Sequence, residues 1–182
     1  MAELCAVLCT SHSPYLFSPG ETWEEARQAR AAAGGIAPHV PVASEAENRA
    51  KHGRAMAALE TLRRKLEAAK PDVLLIFGDD QSEQFGFENY PALCVYAGED
   101  FSGFKISPKF GLPVPKRARE DRPRTPEHWA TVPGHPALAK HLITGLMAKG
   151  FDVGFSTALP RADDGIGHAF TRPLFHLAPG YD

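Results

Sequence analysis

Apolar residues occur along this chain in short runs that end in polar loops, and one run is followed by a cluster of ligand-type side chains. Residues 73–77 are apolar in succession and lead through Gly78 into Asp79, Asp80 and Gln81. A run that is apolar on both faces is typical of a strand covered by helices, and parallel sheets bind ligands at the carboxyl ends of their strands. The pattern therefore predicts a buried strand that ends either in a plain polar loop or in a ligand site.

Three further apolar runs predict strands, over residues 4–9, 92–97 and 151–158. The first run ends shortly before His12, and the last is followed by acidic residues, glycines and His168. Taken singly, each histidine is either a structural loop residue or a metal ligand or acid/base group. Parallel strands bring their carboxyl ends to one edge of a sheet, so we expect both histidines to lie beside Gln81.

Helical patterns separate these strands. Ser44 and Glu47 predict a capping box that opens a long helix to about residue 69, and Pro136 and Gly150 bracket a second helix. A short helix is expected within residues 21–33, inside a long excursion. The predicted buried positions of the two longer helices are Met56, Leu59, Leu62, Leu66, Leu138, Leu142, Leu146 and Met147, with His52 half-buried near the first stripe.

A helix that joins two buried strands is the βαβ pattern, which predicts an α/β fold. We expect a mostly parallel sheet flanked by helices in three layers, α/β/α, formed by residues 1–182 as one domain.

Composition and charge exclude several classes of partner. The chain has 20 basic and 22 acidic residues and a net charge of -2, so no global field attracts nucleic acid or an anionic membrane. Neither a signal peptide nor a membrane span is predicted. Cys5, Cys9 and Cys94 lie within apolar runs and are interpreted as buried small hydrophobes, which indicates a reducing, cytoplasmic location.

One segment departs from the balanced charge. Residues 108–126 combine five prolines with six basic side chains, Lys109, Lys116, Arg117, Arg119, Arg122 and Arg124. The segment is either a solvated loop or a basic lid that attracts a substrate carboxylate.

Motifs of phosphate-binding loops, serine-hydrolase elbows and zinc-protease helices are absent from the sequence. The remaining inventory of histidine, carboxylate and amide groups suits a borderline-hard metal such as Fe(II).

Four ordered motifs carry a family resemblance. TSHSP, KPDVLLIFGDDQSEQF, VPGHPALAKHL and GIGHAFTRPL resemble the catalytic subunit of class III extradiol ring-cleavage dioxygenases of the protocatechuate 4,5-dioxygenase type. The resemblance implies non-haem Fe(II) held by two histidines and a glutamate, with a catecholic substrate and dioxygen as ligands. It assigns His12 as a metal ligand and His168 as the acid/base residue.

Two departures from the family pattern stand out. Gln81 occupies the position of the second histidine ligand, with His52 and Glu83 as conceivable substitutes. The resemblance also covers only the N-terminal two thirds of the family domain, without the part that supplies the carboxylate ligand. A homo-oligomer or a partner subunit stays open as the source of that carboxylate.

Two classes of function follow. The chain is expected to be an extradiol ring-opening dioxygenase, or else a catalytically impaired family member that binds an aromatic ligand or a partner subunit.

Overall fold

The computed structural model describes residues 3–37, 39–105, 124–126 and 128–180, which form a mixture of helices and short strands. Among these residues the α-helices are α1 (Trp23–Ala32), α2 (Glu45–Ala69), α3 (Pro136–Ala148) and α4 (His168–Leu177), and the 3-10 helices are Pro14–Phe17 and Gly20–Thr22. The strands are β1 (Cys94–Tyr96), β2 (Asp100–Phe104), β3 (Trp129–Pro133) and β4 (Gly154–Ser156). The fold is therefore an α/β mix.

Helix α2 begins at the predicted capping box. The Ser44 backbone N–H donates to Glu47 Oε2 at 2.7 Å, and the Glu47 backbone N–H donates to the Ser44 hydroxyl at 3.3 Å. These bonds satisfy N–H groups that have no partner within the helix. Leu59 lies at the centre of the buried stripe with 2% of its surface exposed, while half-buried His52 packs edge-on against Trp23.

Two small strand pairs make up the described sheet structure. β1 and β4 are parallel, with Cys94 opposite Gly154, and they lie within two of the predicted strands. β2 and β3 are antiparallel, from Asp100 opposite Pro133 to Phe104 opposite Trp129, and this pair was not predicted. Its strands are separated by more than twenty residues along the chain, so no local sequence pattern predicts that they pair.

The predicted strands at residues 4–9 and 73–77 are not strands of the described structure, and neither is fully buried. Along 73–77 exposure alternates: Leu74 and Ile76 are half-buried, whereas Leu75 is 55% and Phe77 82% exposed. The prediction of burial on both faces was wrong because, among the described residues, only one face of the segment is packed against others.

Some predicted buried side chains lie at the surface instead. Cys5 and Cys9 are exposed and Cys94 is half-buried, and all three are free thiols. Met147 at the end of α3 is 59% exposed. Burial of these residues was predicted from their apolar character alone, but no other described residues cover them enough to bury them fully.

The core places α4 beside the 73–77 segment. Val132 of β3 packs with Leu174 and Ala178, which lie on α4 and at its end. Half-buried Leu74 and Ile76 pack against this cluster, as do Leu66, Phe101 and Phe175. Further along, a Cβ atom at Gly78 would lie 3.1 Å from the Phe170 ring and 3.3 Å from Ala169. The residues that follow Ile76 are therefore close to the beginning of α4, where His168 is the first helical residue.

None of the helices in the described part of the chain has the length and apolar composition that a membrane span needs. The predicted basic segment lies mostly within residues 106–123, outside the described residues. Its described member Arg124 donates to the side chain of Asp163 at 2.9 Å and lies over the Trp129 ring.

Candidate functional site

Three distant segments of the chain meet at a cluster of imidazole, amide and carboxylate groups. Nε2 of Gln81 lies 3.0 Å from Nε2 of His12, and the ring centroids of His12 and His168 are 5.1 Å apart in an edge-on arrangement. The predicted grouping of these three side chains is thus present in the structure. The His12 and Gln81 segments have no regular secondary structure, and His168 is the first residue of a helix.

The Gln81 amide connects the first histidine to a carboxylate. Its nitrogen donates to Asp79 Oδ2 at 3.0 Å and faces His12 Nε2 at 3.0 Å. In this orientation of the amide, its nitrogen donates to His12 Nε2, and the proton of a neutral His12 ring would lie on Nδ1. His12 Nε2 is also 3.5 Å from Asp79 Oδ1.

The same contacts favour the charged form of the carboxyl group. The Gln81 hydrogen bond is the main effect that lowers the pKa of Asp79, and positive charge on His12 or His168 would lower it further, although desolvation opposes this. Asp79 therefore stays an acceptor in the cluster.

A second carboxylate lies against the other histidine. Glu83 Oε2 is 2.8 Å from His168 Nδ1 and accepts the backbone N–H of His168 at 3.0 Å. About a fifth of each side chain is exposed, 20% for His168 and 21% for Glu83. Each histidine of the cluster thus has a carboxylate of its own.

Asp80 has a structural position, unlike its neighbour Asp79. Its two carboxylate oxygens accept the backbone N–H groups of Gln84 and Phe85 at 2.9 and 3.0 Å. These bonds close the loop that follows residues 73–77, so of the two predicted acidic residues only Asp79 contacts the cluster.

Gln84 fastens this loop to the segment before α4. Its side chain is buried, donates to the Gly165 carbonyl at 2.5 Å and accepts the Arg161 backbone N–H at 3.0 Å. Arg161 in turn donates through Nη1 to the Ser82 carbonyl at 2.9 Å. The loop carrying Gln81 and Glu83 is therefore anchored directly to the chain that leads into His168.

Arg172 supports the cluster from α4. It lies one helical turn after His168, is buried, and donates through Nη1 to the His12 carbonyl at 2.9 Å. Burial lowers the pKa of Arg172 to about 10, while the nearby Glu83 raises it. The cation fixes the backbone of the first histidine relative to the helix of the second.

Sequence reasoning missed helix α4 and hence Arg172. Pro173 lies inside α4, where it removes a backbone donor, and a proline of this kind usually argues against a helix. The spacing of His168 and Arg172 was the available signal, since residues four apart share a helix face.

The two conceivable substitutes for a second histidine ligand have other described partners. Glu83 contacts His168, and the described contacts of His52 are with Trp23 in the α1 and α2 region. Within the described residues, no group of three or more histidine, cysteine, aspartate or glutamate side chains has a metal-binding arrangement. The convergent donors are one imidazole, one carboxylate and one amide, namely His12, Asp79 and Gln81.

No protein-family model matches the chain, and no curated protein matches it. The function has to be argued from the chemistry of the cluster, since a fold class hosts many functions.

Proposed function

We propose that this protein is a non-haem Fe(II)-dependent extradiol dioxygenase that opens the ring of a catecholic compound. The observation that carries the proposal is the meeting of His12, Gln81 and His168. These are the residues to which the family resemblance assigns metal binding and proton transfer, and they come from segments far apart in the sequence.

The donor set fits a divalent metal of borderline character. Imidazole nitrogen and carboxylate or amide oxygen are ligands that such metals accept, and His12 and Asp79 already lie within 3.5 Å of each other. Rotation of the Gln81 amide by half a turn would direct its oxygen to the place where its nitrogen lies. Three acceptor atoms would then face one another, an arrangement that either a bound cation or a proton on His12 Nε2 would stabilise.

His12, Asp79 and Gln81 are the residues that would hold the metal. When bound, the metal would order and polarise a catechol and dioxygen together. Asp79 would supply negative charge close to His12, as the carboxylate ligand implied by the family resemblance would. Arg172 would hold His12 in place through its backbone carbonyl, 2.9 Å away.

His168 would move protons to and from the substrate oxygens. Its ring lies beside that of His12, near enough for a substrate held at His12 to be within reach. A positioned imidazole suits this work because its charge changes near neutral pH.

The proposal includes the complete three-layer fold and a cytoplasmic location. The exposure of Leu75 and Phe77 on one side of residues 73–77 supports a further layer there, supplied by a partner subunit or a second copy. The three free thiols support a reducing compartment.

A binding function without turnover is the second candidate, and one observation favours it. The Gln81 amide N–H groups occupy His12 Nε2 and Asp79 Oδ2, the atoms that a metal would need. In this alternative the closed hydrogen-bonded cluster is the working state, and the crevice binds an aromatic ligand or a partner subunit.

Oxygen uptake separates the two candidates. The protein is loaded anaerobically with Fe(II), mixed with a panel of catechols with and without a carboxylate, and followed by oxygen consumption and by absorbance of the ring-opened product. The dioxygenase proposal predicts consumption of one dioxygen per catechol. Catechol binding without oxygen uptake by the iron-loaded protein would favour the binding function.

A further inference from the structure

One oxygen of Glu83 holds both the backbone and the ring of His168. Oε2 accepts the His168 backbone N–H at 3.0 Å and lies 2.8 Å from Nδ1 of the same residue. A carboxylate in this position accepts the ring N–H, so the proton of the neutral imidazole lies on Nδ1 and Nε2 keeps its lone pair.

Gly167 leaves the space that this contact requires. A Cβ atom at residue 167 would lie 2.7 Å from Glu83 Oε2 and at 3.6 Å or more from the other nearby atoms, which belong to Glu83 as well. The backbone of Gly167, with φ -58 and ψ 155, is one that any residue adopts. The glycine is therefore explained by the approach of the carboxylate and not by backbone conformation.

The loop that carries Glu83 is fixed independently of this contact. Asp80 closes the loop, and buried Gln84 joins it to Arg161 and Gly165. The carboxylate thus approaches His168 from a support that does not depend on the histidine.

We propose that Glu83 is a positioning residue that holds His168 in the Nδ1–H tautomer and directs Nε2 toward the site, an inference that rests on the proposed acid/base role of His168. Glu83 itself touches no reacting atom. It acts as the carboxylate of a carboxylate–histidine pair, which selects the tautomer and orients the ring.

A purely structural role for Glu83 is the competing explanation. A carboxylate at the first turn of α4 also satisfies a free N–H group and interacts favourably with the helix dipole. Loss of the carboxylate would then weaken the helix without changing the tautomer or the turnover number.

Long-range proton–nitrogen NMR spectra of the whole protein distinguish the two roles, because the two ring nitrogens have different shifts in each tautomer. The His168 signals are assigned by their loss in His168→Gln. We expect Nδ1–H in the parent, the same tautomer in Glu83→Gln, which keeps an acceptor oxygen, and loss of this preference in Glu83→Ala.

Gly167→Ala provides a second variant should Glu83→Ala fail to fold. Its added methyl group would lie 2.7 Å from Glu83 Oε2, so the carboxylate has to shift while every charge stays in place, and we expect a weaker Nδ1–H preference. The matched control is Glu88→Ala, which removes an exposed carboxylate beyond the same loop and should leave the spectrum of His168 unchanged.

Steady-state kinetics of the iron-loaded protein give the functional half of the test. We expect kcat to fall in Glu83→Ala with little change in KM, by less than the ~10² to 10⁴ that loss of the imidazole itself would cost, and Glu83→Gln to recover part of the loss.

Two results would overturn the positioning role: an Nε2–H tautomer in the parent, or an unchanged tautomer in both Glu83→Ala and Gly167→Ala. A parent that shows the expected tautomer and its loss in these variants, but never consumes oxygen, would instead refute ring cleavage. Failure of the inference and failure of the proposed function are therefore separate outcomes.

Discussion

Gln81 and His12 are joined by a contact of 3.0 Å between the amide nitrogen of one and Nε2 of the other. The contact connects residues 69 positions apart, and the same amide nitrogen also donates to Asp79. An amide is neutral and a weaker metal donor than imidazole, and in this orientation it directs hydrogen atoms at the atoms a metal would use. Gln81 thus decides between a metal site and a closed hydrogen-bonded cluster.

Replacing Gln81 with histidine should strengthen metal binding. We expect weak or substoichiometric Fe(II) binding by the parent and a rise in affinity by about 10-fold or more in Gln81→His, the scale on which even outer-shell groups alter metal affinity. There are two physical reasons. Imidazole is a better metal ligand than an amide, and the substitution removes the amide N–H that now faces His12 Nε2. Anaerobic titration calorimetry measures the change.

Gln81→Leu is the control for that experiment, since it removes the amide and adds no donor. If Gln81 binds the metal through its oxygen, Gln81→Leu should bind more weakly than the parent. Equal affinities in all three proteins would remove Gln81 from the coordination sphere.

The sequence predicted the main helices and the grouping of the site, but not the elements that arrange it. The capping box at Ser44 and the proline at position 136 are local signals for the start of a helix, and both helices are present. Strand pairing between β2 and β3 and the guanidinium of Arg172 under His12 depend on contacts between distant residues. Such contacts leave no pattern in the local sequence. Helix α4 was not predicted because Pro173 is a residue that usually indicates the absence of a helix.

The pattern of exposure shows a second limit of sequence reasoning. Residues 73–77 are all apolar, which predicted burial on both faces, yet Phe77 is 82% exposed and its neighbour Ile76 is half-buried. An apolar sequence shows that both faces of a segment can be buried. Within the described residues, however, only one face of residues 73–77 is packed against other side chains.

The capping box of α2 should make stability depend on acid pH. Hydrogen bonds from the Ser44 backbone and hydroxyl lower the pKa of Glu47 below 4.5. A carboxyl group whose pKa is lowered by folding stabilises the protein above its unfolded pKa, and the contribution is lost as pH falls through the folded value. We expect the stability difference between the parent and Glu47→Gln to shrink as pH falls below 4.5.

Urea unfolding at a series of pH values measures this difference. The control is Glu88→Gln, an exposed carboxylate outside α2, whose stability difference from the parent should not follow the same pH course. A constant difference between the parent and Glu47→Gln across the acid range would contradict the capping role.

Arg172 should stabilise the protein through its bond to the His12 carbonyl. Arg172→Met keeps much of the apolar packing and removes the charged donor, so we expect the free energy of unfolding to fall by about 1.5 to 3 kcal/mol, the worth of a hydrogen bond to a charged group. Urea denaturation checks the value. Arg64→Met is the matched control, because Arg64 lies on α2 with an exposed side chain, and its described contacts with Glu60 at 3.9 Å and Thr61 at 3.5 Å are long. A loss no larger than that of the control would show that Arg172 does not anchor the first loop.

His168→Gln tests the proposed proton transfer most directly. His168 is the first residue of α4, and its ring lies between that of His12 and the carboxylate of Glu83. Glutamine retains a polar side chain there but cannot take up and release a proton near neutral pH. We expect ring cleavage to fall by ~10² to 10⁴, the usual contribution of a positioned general acid or base, while folding and iron content stay near those of the parent.

The measurements for this variant are oxygen uptake with the catechol panel, circular dichroism for the fold and iron content after anaerobic loading. The control is His141→Gln, which changes an exposed histidine on α3 and should keep full activity. Full turnover by His168→Gln would rule out proton transfer by this residue. Loss of fold in His168→Gln, with His141→Gln folded, would instead assign His168 a structural role at the start of α4, because its backbone and ring both bind Glu83 there.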